Sequence, residues 1–183
     1  MLTRNYDSVT VALMTILTTS GTPTETDWLG GKPGVVKSHD GVVRSIGDFP
    51  RTSNSVFGHS SSTDNISQLP TSNAPVLLAG SNNAEETYND YCLNVLKNLT
   101  VVGYRSASIT YSADGCVYTT VKTFINNTGN DITVNELGIY QNYDYASQVL
   151  LYRKKLDKPV TVKANGGTAT FSLVIDIPYA NKP

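Results

Sequence analysis

Residues 168–177 constrain the fold more than any other stretch, because their apolar side chains recur at every second position. Ala169, Phe171, Leu173, Ile175 and Ile177 alternate with Thr168, Thr170, Ser172, Val174 and Asp176. Successive side chains of a strand point to opposite faces, so one face of this segment is apolar and the other mostly polar. Burying that apolar row contributes about 7–15 kcal/mol gross, an upper bound because an unfolded chain already hides part of its apolar surface. A slip of one residue would turn the whole row into water, so both the register and the need for a second layer follow from this pattern.

The neighbouring stretches extend it. Asn165-Gly166-Gly167 is turn chemistry, and Pro159-Val160-Thr161-Val162-Lys163 is a short β-branched run, so residues 159–163 and 168–177 are expected to form a hairpin. Residues 116–125 are β-branched and aromatic, and 126–131 (Asn126-Asn127-Thr128-Gly129-Asn130-Asp131) read as a loop. In residues 132–140 the apolar phase changes between Val134 and Leu137, as at a bulge or where a strand crosses between sheets. Glu136 lies at that change and is expected to be an exposed or backbone-paired bulge residue rather than a functional carboxylate. Upstream, Val76-Leu77-Leu78-Ala79 reads as a short buried strand. Residues 92–104 read as a strand pair broken near Lys97-Asn98, and 106–112 as an alternating strand turned by Asp114-Gly115 into the Cys116 strand. About seven or eight strands at short intervals predict a mainly β protein: an antiparallel β-sandwich, with a jelly roll as one form of it.

Residues 124–140, which read Phe-Ile-Asn-Asn-Thr-Gly-Asn-Asp-Ile-Thr-Val-Asn-Glu-Leu-Gly-Ile-Tyr, are followed by Leu150-Leu151-Tyr152-Arg153 and then Pro159-Val160-Thr161-Val162. This series resembles a module of small virion proteins of tailed bacteriophages. In that family a polar Gly-containing loop leads into a strand of the form I-T-V-x-E-[VIL]-G-[LI]-Y, an L-[LI]-x-R strand follows, and an alternating apolar strand closes the chain. Leu78-Ala79-Gly80-Ser81-Asn82 and Asp90-Tyr91-Cys92-Leu93 are similar to the family's Gly-rich turn and D-Y-x-L. The resemblance covers about residues 76–177. It departs at Ala79 before Gly80 and at Asn82, where a second Gly is common. It implies a non-enzymatic structural protein of the virion, made in the host bacterial cytoplasm and working as a homo-oligomer with copies of itself and other virion proteins. The neck or tail is the expected position, with the capsid surface next.

Composition agrees with that expectation. Charged residues make up 16% of the 183-residue chain and the net charge is −1, where a nucleic-acid binder would show a basic face. The 11 tyrosines suit sheet surfaces and protein interfaces. Cys92 and Cys116 make no disulfide framework, and both thiols are expected to be free. No apolar run approaches the roughly 20 residues that span a bilayer, and no leader-like start is evident. No cofactor, metal or catalytic centre is expected. His39 and His59 both fall in irregular sequence, and Asn127, Asn130, Asp131 and Asp144, which could gather around calcium, read more simply as turn formers.

The first 75 residues read as a helix followed by an extended arm, with the β-sandwich domain over residues 76–183. Asp7 or Ser8 can cap a helix in which Val9, Ala12, Leu13, Ile16 and Leu17 share a face, although β-branched residues lower its propensity. That face either docks on a neighbouring subunit or caps the sandwich. Residues 19–75 read as irregular apart from a small strand at 42–46, and the segment is too long for an ordinary connection. In a virion protein such an arm gains order by lying across its neighbours. Val9, Leu13, Leu17, Trp28, Phe49 and Phe57 are therefore the expected subunit-interface residues, the rival being that the aromatics fold back on their own chain. A second function class is a receptor- or glycan-binding tail tip, with Gln141, Tyr143 and Tyr145 as an exposed binding loop. A third, an enzyme, would need His39 or His59.

Overall fold

The alternating stretch is strand β8 (Gly167–Pro178). Phe171, Leu173 and Ile175 are buried and Thr168, Thr170, Ser172, Val174 and Asp176 exposed, as the period of two requires. The structure, a computed structural model, describes residues 1–3, 6, 22–30, 32, 35–45, 75–111, 115–142 and 148–178. These are mainly β. A five-residue helix α1 (Glu25–Leu29) precedes β1 (Val35–Lys37), β2 (Val43–Ser45), β3 (Val76–Gly80), β4 (Leu99–Tyr111), β5 (Gly115–Asn126), β6 (Ile132–Asn142), β7 (Gln148–Val162) and β8. Every pairing is antiparallel, in a β1-β2 hairpin and two sheets of order β3-β6-β7 and β4-β5-β8. The expected helix over residues 9–18 lies outside the described residues.

The expected hairpin between residues 159–163 and 168–177 does not form. β8 pairs along its whole length with β5, from Asn126↔Gly167 to Gly115↔Pro178, while the end of β7 stays with β6 through Val134↔Val160 and Ile132↔Val162. The turn at Asn165 and Gly166, both at positive φ, therefore carries the chain from one sheet to the other. Residues 127–131 make the same crossing between β5 and β6.

The two crossings are tied together. Asn165 N donates to Thr128 O at 2.9 Å and Gly166 N to Asn126 O at 2.8 Å. The buried Asn126 amide donates to Asn130 O at 2.7 Å and Val162 O at 3.0 Å, and its oxygen accepts from Thr128 N and Oγ1. Replacing Asn126 with Ala removes all four bonds, leaving Asn130 O and Thr128 Oγ1 bonded to each other, and is expected to cost about 1–3 kcal/mol. Urea unfolding measures it, and a change below about 0.5 kcal/mol, the range of an ordinary surface substitution, would contradict the pinning role.

One buried cluster joins the two sheets. It contains Leu77, Leu137, Ile139 and Leu151 from β3-β6-β7 together with Leu99, Tyr118, Phe124 and Leu173 from β4-β5-β8. Lys122, also buried, reaches from β5 to donate to Leu77 O at 3.0 Å. The phase change expected between Val134 and Leu137 is a register shift. Val134 faces Val160 but Glu136 faces Lys155, so the side chains of Glu136 and Tyr140, with the bare position of Gly138 between them, fall on the opposite face of the sheet from Leu137 and Ile139. β4 departs from expectation. Residues 99–111 form one strand with a register shift between Val102 and Ser106, and within 92–98 only Val95 pairs, as an isolated bridge to Gly80.

Among the described residues of 19–75, a segment read as irregular, two elements form besides the expected small strand. Thr24 and Asp27 cap α1 reciprocally, Asp27 N to Thr24 Oγ1 at 3.3 Å and Thr24 N to Asp27 Oδ2 at 2.9 Å. β1 pairs with β2, and its Val35 and Val36 are fully buried.

The free edge of β7 is covered by pieces of the chain's first 40 residues. His39 N donates to Gln148 O at 2.8 Å, Thr3 N to Leu151 O at 3.0 Å, and Arg153 N to Met1 O at 3.0 Å. Further along, Glu86 Oε1 accepts from Lys155 N at 2.8 Å. An edge strand left bare is a template for unwanted pairing, and here four separate groups close it.

Candidate functional site

The residues behind the resemblance converge on the face of β3-β6-β7 that points away from the shared core, where residues 81–96 cross it. Beyond the bulge Glu136 projects onto this face fully buried, and Arg153 does so from β7, 2% exposed. Arg153 Nε donates to Glu136 Oε2 at 2.7 Å. Its Nη1 reaches Asp90 Oδ2 at 2.7 Å and Glu85 O at 3.0 Å, and Nη2 reaches Ala84 O at 2.9 Å. Glu136 Oε1 accepts from Asn82 N at 3.2 Å and Asn94 N at 3.1 Å. Asp90 also accepts from Thr87 N and Oγ1, each at 2.8 Å, so it closes its own turn as it binds the guanidinium. Two charges withdrawn from water require this degree of pairing, because the desolvation cost otherwise exceeds their attraction.

The glycines and the tyrosine of the motif complete the arrangement. A Cβ on Gly80 would collide with the Glu136 carboxylate, and one on Gly138 would lie 2.6 Å from Leu93 Cδ1 and 2.9 Å from Leu150 Cδ1. Tyr140 Oη accepts from Leu93 N at 2.7 Å, and Tyr140 packs with Val76, Leu78, Leu93 and Leu150 in a second apolar cluster. Gly80, Asp90, Glu136, Gly138, Tyr140 and Arg153 thus form one latch that fastens residues 81–96 to the sheet. Chemically the latch is closed. Both Glu136 oxygens and four guanidinium N–H groups are already engaged within the chain, so it has the form of a structural clamp rather than of an acid or base awaiting a substrate.

A second cluster borders it. Trp28, 2% exposed, meets Tyr91 edge to face at 6.2 Å, and Lys37 Nζ lies 5.0 Å from the Trp28 ring and 4.4 Å from that of Tyr91 while pairing with Glu25 at 2.8 Å. His39 Nδ1 lies 2.9 Å from Tyr140 Oη, with the two rings edge to face at 5.6 Å. Burial lowers the His39 pKa and raises those of Tyr140 and Cys92, so all three favour their neutral forms. At the hairpin tip, Arg44 holds the Asp40 carboxyl well below the usual carboxylate range.

The residues singled out from sequence are placed differently from expectation in three respects. Trp28, expected to anchor an arm on a neighbour, is buried against Tyr91 of its own chain, which is the rival arrangement. Gln141, expected in an exposed binding loop, is 1% exposed and sits in β6 opposite Val149, because that strand runs past Tyr140 to Asn142. Glu136 is backbone-paired at a bulge as expected, but buried and ion-paired rather than exposed. Val9, Leu13, Leu17, Phe49, Phe57, Tyr143 and Tyr145 lie outside the described residues, as does His59. Asp131, weighed as a calcium ligand, accepts from Lys163 Nζ at 2.8 Å and Ala164 N at 2.9 Å, and so braces the inter-sheet turn. Among the described residues no group of three or more His, Cys, Asp or Glu could hold a metal ion, and no helix is long and apolar enough to cross a membrane. Cys92 and Cys116 are not joined in a disulfide.

The role of Arg153 is not legible locally: it is the first of three consecutive cations, Arg153-Lys154-Lys155, after the apolar run Val149-Leu150-Leu151-Tyr152, and nothing in that run distinguishes the buried one from the two that follow. Comparison with protein-family models, with curated proteins and with solved structures returns no match.

Proposed function

We propose that this chain is a non-enzymatic structural protein of a tailed-bacteriophage virion, a β-sandwich that assembles as a homo-oligomer at the neck or tail, or on the capsid. The observation that carries the reading is the closed latch. The charged positions of the resemblance, Asp90, Glu136 and Arg153, are spent on rigidity and leave no open chemistry. A closed clamp of this kind suits a module whose role is to hold its shape.

The outward face of β4-β5-β8 adds support. Its rungs include Thr100, Ile125 and Thr168, then Val102, Thr123 and Thr170, a row of hydroxyl and β-branched side chains. Asp176 is the one charged side chain among those described on this face. A surface so poor in charge is suited to lying against another protein. The anchors of assembly are Val9, Leu13, Leu17, Phe49 and Phe57, with copies of the chain and other virion proteins as partners.

Sedimentation velocity of the purified chain, together with quantitative mass spectrometry of gradient-purified particles, tests the reading. A discrete oligomer and a fixed copy number per particle are expected. A monomer that is absent from the particles would overturn it.

A further inference from the structure

We propose that His39 is a proton-operated catch: its neutral ring holds the β1-β2 hairpin on the main sheets, and protonation releases the hairpin together with α1. The hairpin tip meets the sheet through His39. Its backbone N–H closes on Gln148 O at 2.8 Å and its Nδ1 on Tyr140 Oη at 2.9 Å. Tyr140 Oη already accepts from Leu93 N at 2.7 Å, which leaves the phenolic proton to be donated to an unprotonated Nδ1. An imidazolium reverses this. Nδ1 becomes a donor, the phenol oxygen must accept two N–H groups, and the phenolic proton is stranded in a buried site. One proton therefore breaks a chain of bonds linking the hairpin tip, β6 and the 81–96 segment.

The surrounding charges do not offset the cost. On the hairpin, Asp40 faces the ring, but its carboxylate is already bound by both Arg44 Nη groups at 2.8 and 2.7 Å and by Ser38 Oγ at 2.7 Å. From the segment ahead of β4, Lys97 repels a second cation, and Cys92 is a neutral thiol. From β6 and β7, Glu136 and Arg153 are paired with each other. The folded ring thus titrates below the ordinary histidine value of 6.5. The sign follows: docking is fully stabilised above about pH 6.5 and is lost as pH falls through the lower folded value.

The protein carries its own reporter, because Trp28 is the only tryptophan and is wedged beside Tyr91 and Lys37 at this junction. On acidification of the full chain from pH 7.5 to 5.0, Trp28 emission is expected to shift to the red and become accessible to acrylamide, while far-UV circular dichroism keeps its β signal. His39→Gln, whose neutral amide can still accept from Tyr140, is expected to remove the transition. An unchanged emission in the parent chain, or the same transition in His39→Gln, would overturn the proposal. If His39→Gln does not fold, an NMR titration of the parent imidazoles, assigned with His59→Gln, decides. A His39 midpoint below 6.5 that coincides with the Trp28 transition supports the catch, and a midpoint at or above 6.5, or one apart from that transition, overturns it.

Discussion

Arg153→Met lowers the free energy of unfolding by about 3–5 kcal/mol, the cost of leaving a buried charge without its partner. Methionine keeps the stem's packing but removes every donor. Glu136, fully buried, then holds a carboxylate supported only by Asn82 N and Asn94 N, and the carbonyls of Ala84 and Glu85 lose their partner. Asp90 is the least affected, because its partly exposed side chain can return to water. Urea unfolding gives the free energy, and limited proteolysis is expected to show new cleavage within residues 81–96. A loss under about 1 kcal/mol would mean that the pair behaves like an exposed one.

Phe124→Ala is expected to cost a similar amount, about 3–5 kcal/mol, for a different reason. Phe124 is fully buried in the cluster that both sheets share, edge to face with Phe171 at 5.9 Å. The cavity it leaves lies between the sheets, and close-packed interiors relax only partly around such a gap. Because one core serves both layers, the variant should still unfold in a single transition at lower denaturant, by tryptophan fluorescence and by circular dichroism alike. Two separated transitions within the circular-dichroism signal itself would show that the sheets fold independently.

Much of the β architecture is legible in the residues, and the exceptions have physical causes. The alternation in residues 168–177 settles which side chains of β8 are buried. It cannot settle which strand lies alongside, because a period of two is the same whether the partner is β7 or β5. Turn chemistry at Asn165 and Gly166 is likewise shared by a hairpin and by a crossing between sheets. Here the bonds to Asn126 and Thr128, distant in sequence, distinguish them. The phase change before Leu137 reveals the bulge, yet the burial of Glu136 depends on Arg153 and Asp90, which no local pattern connects to it.

α1 carries a readable signal in Thr24-Glu25-Thr26-Asp27, a capping box, but five residues are too few to display an apolar period. Gln141 falls in phase with Leu137 and Ile139, so ending the strand at Tyr140 put an inward-facing residue into a loop.

A double-mutant cycle on the latch is the most direct measurement, using urea unfolding of Glu136→Gln, Arg153→Met and the double variant. Gln keeps an acceptor for Asn82 N and Asn94 N while removing the charge, so the cycle isolates the pairing with Arg153. If the motif residues act as one clamp, the double variant loses less than the sum of the singles by about 1.5–3 kcal/mol. Losses that add to within about 0.5 kcal/mol would mean that Glu136 and Arg153 act separately and that residues 81–96 are held to the sheet by something else.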